Sequence, residues 1–200
     1  MIDIVDWKLY TKADLLNVMR NTYLLSDKLI LPFKNSDISV GKVSRDLLLP
    51  TQKFVLNEQL KKIENLYNFF DKQGVYIPDL QGFLSYKVRN VATDFVLTPP
   101  IVEVIEGKPL LIDGMHRSFF FGNKNLKFNA IFIEGIEKQY FPYQLQNPKG
   151  WDDVIVFDKT LPLGFVRKDM RYEDKEKKKA LFRQYPFPGV IKILREHSGR

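Results

Sequence analysis

Apolar residues recur along this chain with two different periods. Leu60, Ile63, Leu66, Tyr67 and Phe70 fall at helical spacing, with Asn57 placed as an N-cap and Gly74 as a stop, which predicts a long helix over 57–71. Thr11-Lys12-Ala13-Asp14 reads as a capping box with Asp in place of the usual Glu, opening a helix that runs to about Tyr23 and buries Leu15, Leu16, Val18 and Met19. Short apolar runs at 38–40, 101–105, 110–112, 128–133 and 154–157 read as strands. Glu106-Gly107-Lys108-Pro109 joins the second and third of these into a hairpin. The segment 47–52 reads as a loop, because Pro50 can neither donate to a sheet nor sit inside a helix.

The remainder is less regular. Gly82-Phe83-Leu84-Ser85-Tyr86-Lys87-Val88-Arg89 mixes aromatic and basic side chains, the pattern either of an ordinary exposed strand or of a surface that stacks on a nucleic acid. In the last third a charged helix is expected over roughly 172–183, followed by a turn at Pro186-Phe187-Pro188-Gly189-Val190 into a short closing helix. There is no internal repeat and no low-complexity linker.

Composition narrows the chemistry. The 200 residues fit one domain with small additions, and no apolar run is long enough to cross a bilayer. With no cysteine, disulfides, thiolate catalysis and cysteine-held metals are excluded. Residues 1–6 are acidic and lack the pattern of a secretory signal, so a cytoplasmic location is the expectation. Lys plus Arg number 31 against 24 Asp plus Glu, a formal charge of +7 that favours polyanionic partners. Much of the excess is Lys175, Lys177, Lys178 and Lys179, either a solvated helix face or a nucleic-acid contact. Of the two histidines, His197 belongs to a frayed tail, which leaves His116 as the candidate for chemistry.

His116 stands in the most informative stretch, Leu110-Leu111-Ile112-Asp113-Gly114-Met115-His116-Arg117-Ser118. A strand that breaks at a glycine and restarts as a helix presents unpaired N–H groups, and a neighbouring arginine makes that geometry suit a phosphate. In that reading Gly114 allows close backbone approach. Arg117 either grips a phosphate or pairs with Asp113. His116 either donates to a phosphate or is structural. Ser118 either adds a hydroxyl to the site or caps the helix. Asp113 either holds Mg²⁺ on the phosphates or bonds its own backbone. Phe119, Phe120 and Phe121 read as core, and Arg167, Lys168 and Arg171 as added positive potential.

The order of these elements, with Pro50-Thr51-Gln52, the long helix, Pro100-Ile101-Val102-Glu103-Val104 and then Asp113-Gly114-Met115-His116-Arg117, resembles the ParB/sulfiredoxin superfamily over about residues 38–136. Its box is most similar to the Asp-Gly-x-His-Arg type of the free-serine kinase branch, with Met115 in place of a histidine. The resemblance implies an α/β (α+β) fold. A small mixed-sheet nucleotide-binding core over 37–136 would carry an N-terminal helical extension over 1–36 and a C-terminal extension over 137–200 packed on it. It implies a nucleotide, ATP/ADP or CTP, with Mg²⁺ at Asp113. The phosphates would be bound by Gly114, Met115, His116, Arg117, Ser118 and Gln52, and catalysis carried by Asp113, His116 and Glu58. Glu58 enters as the nearest acid to the position, near Thr51, where those kinases place a catalytic glutamate. The expected function is an Mg-dependent phosphotransferase acting on a small hydroxyl-bearing acceptor, or an NTPase. The alternative is a nucleotide-gated DNA-binding module, or a nuclease, without a helix-turn-helix.

Overall fold

The computed structural model describes residues 3–188 and 190–193. In chain order these form β1 (Ile4–Tyr10), α1 (Lys12–Arg20), β2 (Tyr23–Leu24), β3 (Asp37–Val43), β4 (Leu49–Pro50), β5 (Phe54–Leu56), α2 (Asn57–Lys72), β6 (Phe83–Val88), β7 (Phe95–Leu97), β8 (Ile101–Ile105) and β9 (Lys108–Asp113). Then follow α3 (Met115–Asn123), β10 (Phe128–Glu134), β11 (Ile155–Phe157), α4 (Lys175–Ala180), β12 (Arg183–Phe187) and β13 (Val190–Ile193). The fold is a mixed α/β one, as expected. No helix among the described residues is long and apolar enough to cross a membrane.

The main sheet has the order β3-β10-β8-β9-β4. Its centre is the expected hairpin of β8 and β9, turned by Glu106 and Gly107, both with positive φ. From β9 the chain crosses through α3 to β10, which lies parallel to β8, while β3 runs antiparallel to β10. Alternation along the strands divides the core into two layers. Val102 on β8, Leu111 on β9, and Phe128 and Ala130 on β10 face a layer with Leu66 and Phe70 of α2 and Phe120 and Phe121 of α3. Ile101, Leu110, Ile131 and Ile133 face the other, with Leu15, Val18 and Met19 of α1 and Tyr185 and Phe187 of β12.

The capping box opening α1 forms as read: the Thr11 hydroxyl accepts the Asp14 N–H at 3.2 Å, and Asp14 accepts the Thr11 N–H at 2.9 Å. Other expectations change. Residues 4–10 are a strand paired with β6, so the N-terminal segment is not helical alone. Within 47–52, Leu49–Pro50 pairs parallel to β9; Pro50 is tolerated because β4 is the sheet's last strand. The N-cap of α2 is Leu56, and Asn57 is its first residue. The charged helix is shorter than expected, because Arg183 has already entered β12. Where a closing helix was expected, β12 and β13 form an antiparallel pair with Pro186 inside it. The aromatic residues of β6 are spent internally: Phe83 is fully buried and Tyr86 packs against Phe70 and Phe95. Residue His197, placed in the tail from sequence, lies outside the described residues.

Both flanking segments share sheets with the rest. β2 pairs with β12, β1 with β6, and β11 runs parallel to β5.

Candidate functional site

β9 ends at Asp113, and the chain turns from strand to helix across Gly114. Gly114 is the N-cap of α3, with φ 91° and ψ 20°. A Cβ there would stand 2.9 Å from both Cα and Cβ of Pro100 and 3.0 Å from Arg117 Nη2. Backbone conformation and space therefore each require glycine. The Ser118 N–H returns to the Gly114 carbonyl at 2.8 Å, closing the first turn. The N–H groups of Met115, His116 and Arg117 are thus the ones an α-helix leaves without intrahelical partners.

The side chains around this turn are ordered by the fold itself. Arg117 is 8% exposed. Its Nη2 donates to Asp113 Oδ2 at 2.9 Å, and its Nη1 donates to the Thr98 carbonyl. Of the two readings of Arg117, the ion pair with Asp113 is the one present. His116 Nε2 accepts the Leu56 N–H at 3.0 Å, so it ties the start of α3 to the start of α2. The Gln52 side chain donates to the Phe54 carbonyl at 2.7 Å, and the Gln52 main-chain carbonyl accepts from the Asn147 side chain at 3.0 Å. The Thr51 hydroxyl donates to the Leu111 carbonyl at 2.8 Å, fixing this loop beside β9.

These residues open onto a cleft of about 900 Å³. Asp113, Gly114, Met115, His116, Arg117 and Gln52 all line it. Two sequence candidates do not. Ser118 is fully buried on the inner side of α3, and its hydroxyl has no hydrogen-bond partner among the described residues. Glu58 lies on the outer side of α2, paired with Lys62 at 2.8 Å; that cation holds its carboxyl below the usual range. The residues of α2 that do reach the cleft are the next one, Gln59, and Ile63 a turn further on.

The cleft is electrostatically one-sided. Among the described residues Arg117, Lys159, Arg167 and Lys168 line it, against a single carboxylate, Asp113. Its apolar wall includes Phe54, Ile63, Leu97 and Met115. Arg171 stays outside, over the Phe141 ring, with Nε donating to the Pro142 carbonyl. Sequence reasoning missed Lys159, Tyr143 and Gln144. Nothing local marks them, because they reach the cleft through the chain path after β10. No group of three or more His, Cys, Asp or Glu among the described residues is placed to hold a metal ion.

Behind the cleft lies a buried ion pair. Glu103 on β8 and Arg183 on β12 meet through Nη2–Oε2 at 2.9 Å and Nε–Oε1 at 3.2 Å, with side chains 0% and 3% exposed. Arg183 also donates to the Leu181 and Tyr140 carbonyls. Burial pushes the Glu103 carboxyl above its usual range, and the Arg183 charge opposes that shift. The same burial, with Glu103 beside it, raises the Tyr185 hydroxyl well above its usual range. The sequence held a signal for this pair: one acid in the middle of the otherwise apolar run of β8.

Comparison with curated proteins and with solved structures finds no match. The ParB CE domain family matches residues 14–155, which takes in most of α1 and all of the main sheet, α2, α3 and the Gly114 turn. With most of its length covered by that match, the chain belongs to the ParB CE domain family.

Proposed function

We propose that this protein binds a nucleotide in the cleft, with the phosphates at the N-terminus of α3 and the base against the apolar wall. The observation that carries the reading is the pairing of Gly114's tight helix start with four cationic side chains against one carboxylate. A cleft of about 900 Å³ with a few polar groups and an apolar wall is of the size that takes such a ligand. ATP/ADP and CTP remain the candidates.

Turnover, as an Mg-dependent phosphotransferase or NTPase, is the finer form of this proposal. Asp113 is the cleft's one carboxylate, and Mg²⁺ on phosphates needs only one or two from the protein. Such an ion would share the Asp113 carboxylate with Arg117, whose Nη2 donates to it at 2.9 Å. When bound it would neutralise phosphate charge and orient the reacting group. Asp113 would hold it, while the α3 N–H groups and the cleft's cations would position the phosphates. The kinase-like part of the resemblance rests on Asp113-Gly114-Met115-His116-Arg117 alone. With Glu58 outside the cleft, proton transfer there would fall to the other two catalytic candidates, His116 and Asp113.

The test is a thermal-shift panel of ATP, ADP, CTP and GTP with Mg²⁺ on the wild type and on Gln59→Trp, which fills the cleft from α2. A nucleotide at a hundred times its Kd should stabilise the wild type by about 2.7 kcal/mol and leave Gln59→Trp unshifted. No shift with any nucleotide, or equal shifts in both proteins, overturns the reading. Phosphate release with the bound nucleotide then tests turnover. Steeply salt-dependent DNA binding would instead favour the DNA-binding alternative, for which the lysines of α4 provide a surface.

A further inference from the structure

β1 is an outer strand of its sheet. Among the described residues β6 is the one strand paired with it, so alternate residues of Ile4–Tyr10 turn their N–H and C=O groups away from the sheet. The strand is anchored from behind: Trp7 packs edge-on against Phe70, and Tyr10 stacks on Phe83. Its register on β6 slips between Ile4 and Asp6, so Asp6–Tyr10 is the regular part of the edge. Two large apolar side chains of the strand, Val5 and Leu9, are 48% and 50% exposed. Between them stand an acid and a base. Asp6 has Lys87 at 3.9 Å, yet its side chain is 68% exposed, and the exposed Lys8 lies over the Tyr10 ring. A carboxylate accepts at several sites and an ammonium donates three times, so each can take a further partner and keep the contact it has.

We propose that this edge is a self-association surface, on which β1 of a second copy pairs antiparallel in a register centred on Trp7. Two copies related by a twofold axis form an antiparallel pair only when the axis stands perpendicular to the sheet, and opposed residues then share a face. Side chains alternate between faces, so the axis must pass through a residue position and not between two. Centring on Asp6 opposes two acids, and centring on Lys8 opposes two lysines, both unfavourable. Trp7 is the middle residue of Ile4–Tyr10, so centring there overlaps the whole strand, and it sets each Asp6 opposite the partner's Lys8. Each acid then lies in a row between Lys87 and the partner's Lys8, and each Val5 approaches the partner's Leu9. The charge pattern names the occupant: Asp6-Trp7-Lys8 complements itself when read backwards, and a second copy always carries it. The surface is separate from the cleft, none of whose lining residues belongs to β1.

The experiment is sedimentation equilibrium of the full chain at low salt, over concentrations up to about 1 mM. The wild type should show a reversible monomer–dimer equilibrium. Asp6→Lys opposes cation to cation at both symmetry-related pairs, and Lys8→Asp opposes acid to acid, so each alone should weaken the dimer about tenfold or more. An equimolar mixture of these two variants opposes unlike charges at both pairs and should associate as the wild type does. The double variant, Asp6→Lys with Lys8→Asp, should do the same on its own. Glu173→Lys, an exposed site with the same change of net charge as Asp6→Lys, should leave the equilibrium unchanged. A wild type that stays monomeric throughout overturns the proposal. So does a dimer that both single variants keep, or one that Glu173→Lys weakens equally. Failure of both the mixture and the double variant to restore association overturns it as well, since the loss in the single variants would then come from damage to β1 and not from opposed charge.

Discussion

Replacing Gly114 by alanine separates the two reasons the position needs glycine, because Gly107 supplies a control. Both residues have positive φ, 91° at Gly114 and 77° at Gly107. Nothing lies within 4 Å of a Cβ built on Gly107, whereas one on Gly114 meets Pro100 Cα and Cβ at 2.9 Å and Arg117 Nη2 at 3.0 Å. Placing an L-residue in the left-handed region costs roughly 1–2 kcal/mol. Stiffening the unfolded chain returns about 0.4–1 kcal/mol of that. Gly107→Ala should therefore destabilise by about 1.6 kcal/mol or less. At Gly114 the neighbours cannot easily give way. Pro100 is a ring on the main chain beside β8, and Arg117 is held by Asp113 and Thr98. Overpacking at such a site adds about 1–3 kcal/mol, so Gly114→Ala should lose about 1–4.6 kcal/mol in all. Urea denaturation of both variants, compared at matched slopes, measures the difference. If the two agree within about 0.5 kcal/mol, the close approach to Pro100 contributes nothing and the geometric case for glycine reduces to backbone angle.

Three other perturbations test the surrounding structure. Glu103→Leu leaves Arg183 buried without its counter-charge and should cost about 3–5 kcal/mol; adding Arg183→Met should recover part of that, short of the loss at the Leu181 and Tyr140 carbonyls, in a double-mutant cycle by urea unfolding. His116→Ala strands the Leu56 N–H at the start of α2 and should lower stability by about 1–3 kcal/mol, while an unchanged urea midpoint would show that the bond does not matter. Hydrogen bonds from the Thr11 hydroxyl and N–H hold the Asp14 carboxyl below its ordinary value. Its contribution is present above the usual carboxylate range, below about pH 4 it begins to fail, and it is lost as pH falls through the lowered value. Thermal melts against pH should show an acid limb that is shallower in Asp14→Asn.

What the sequence made legible was local. The capping box at Thr11, the periodicity of α2, the turn at Glu106-Gly107 and the break at Gly114 each declare themselves within a few residues. The missed strands depend on pairing partners elsewhere in the chain. β1 alternates poorly and is a strand because β6 pairs with it. β12 contains a proline and is a strand because β2 and β13 flank it. Within the candidate site, the turn and its flanking residues were visible. The destination of the Arg117 side chain and the arrival of Lys159 were not, since both are set by packing. Ser118 and Glu58 were placed in the site by proximity in sequence, and helix phase carries them elsewhere.

The Glu103–Arg183 pair also orders events in time. The two residues are 80 positions apart, and β8 belongs to a hairpin that needs only its immediate neighbours to form. During synthesis at about 5–20 residues per second, the ribosome needs roughly 4–16 s to supply Arg183 after Glu103. Throughout that interval the layer that receives Ile101, Ile131 and Ile133 contains an acid without its cation. An ionised carboxylate resists being sealed from water, so the layer either takes up a proton or remains wet until β12 docks. The nascent chain therefore cannot complete this side of its core early, and the arrival of β12 decides when that layer closes.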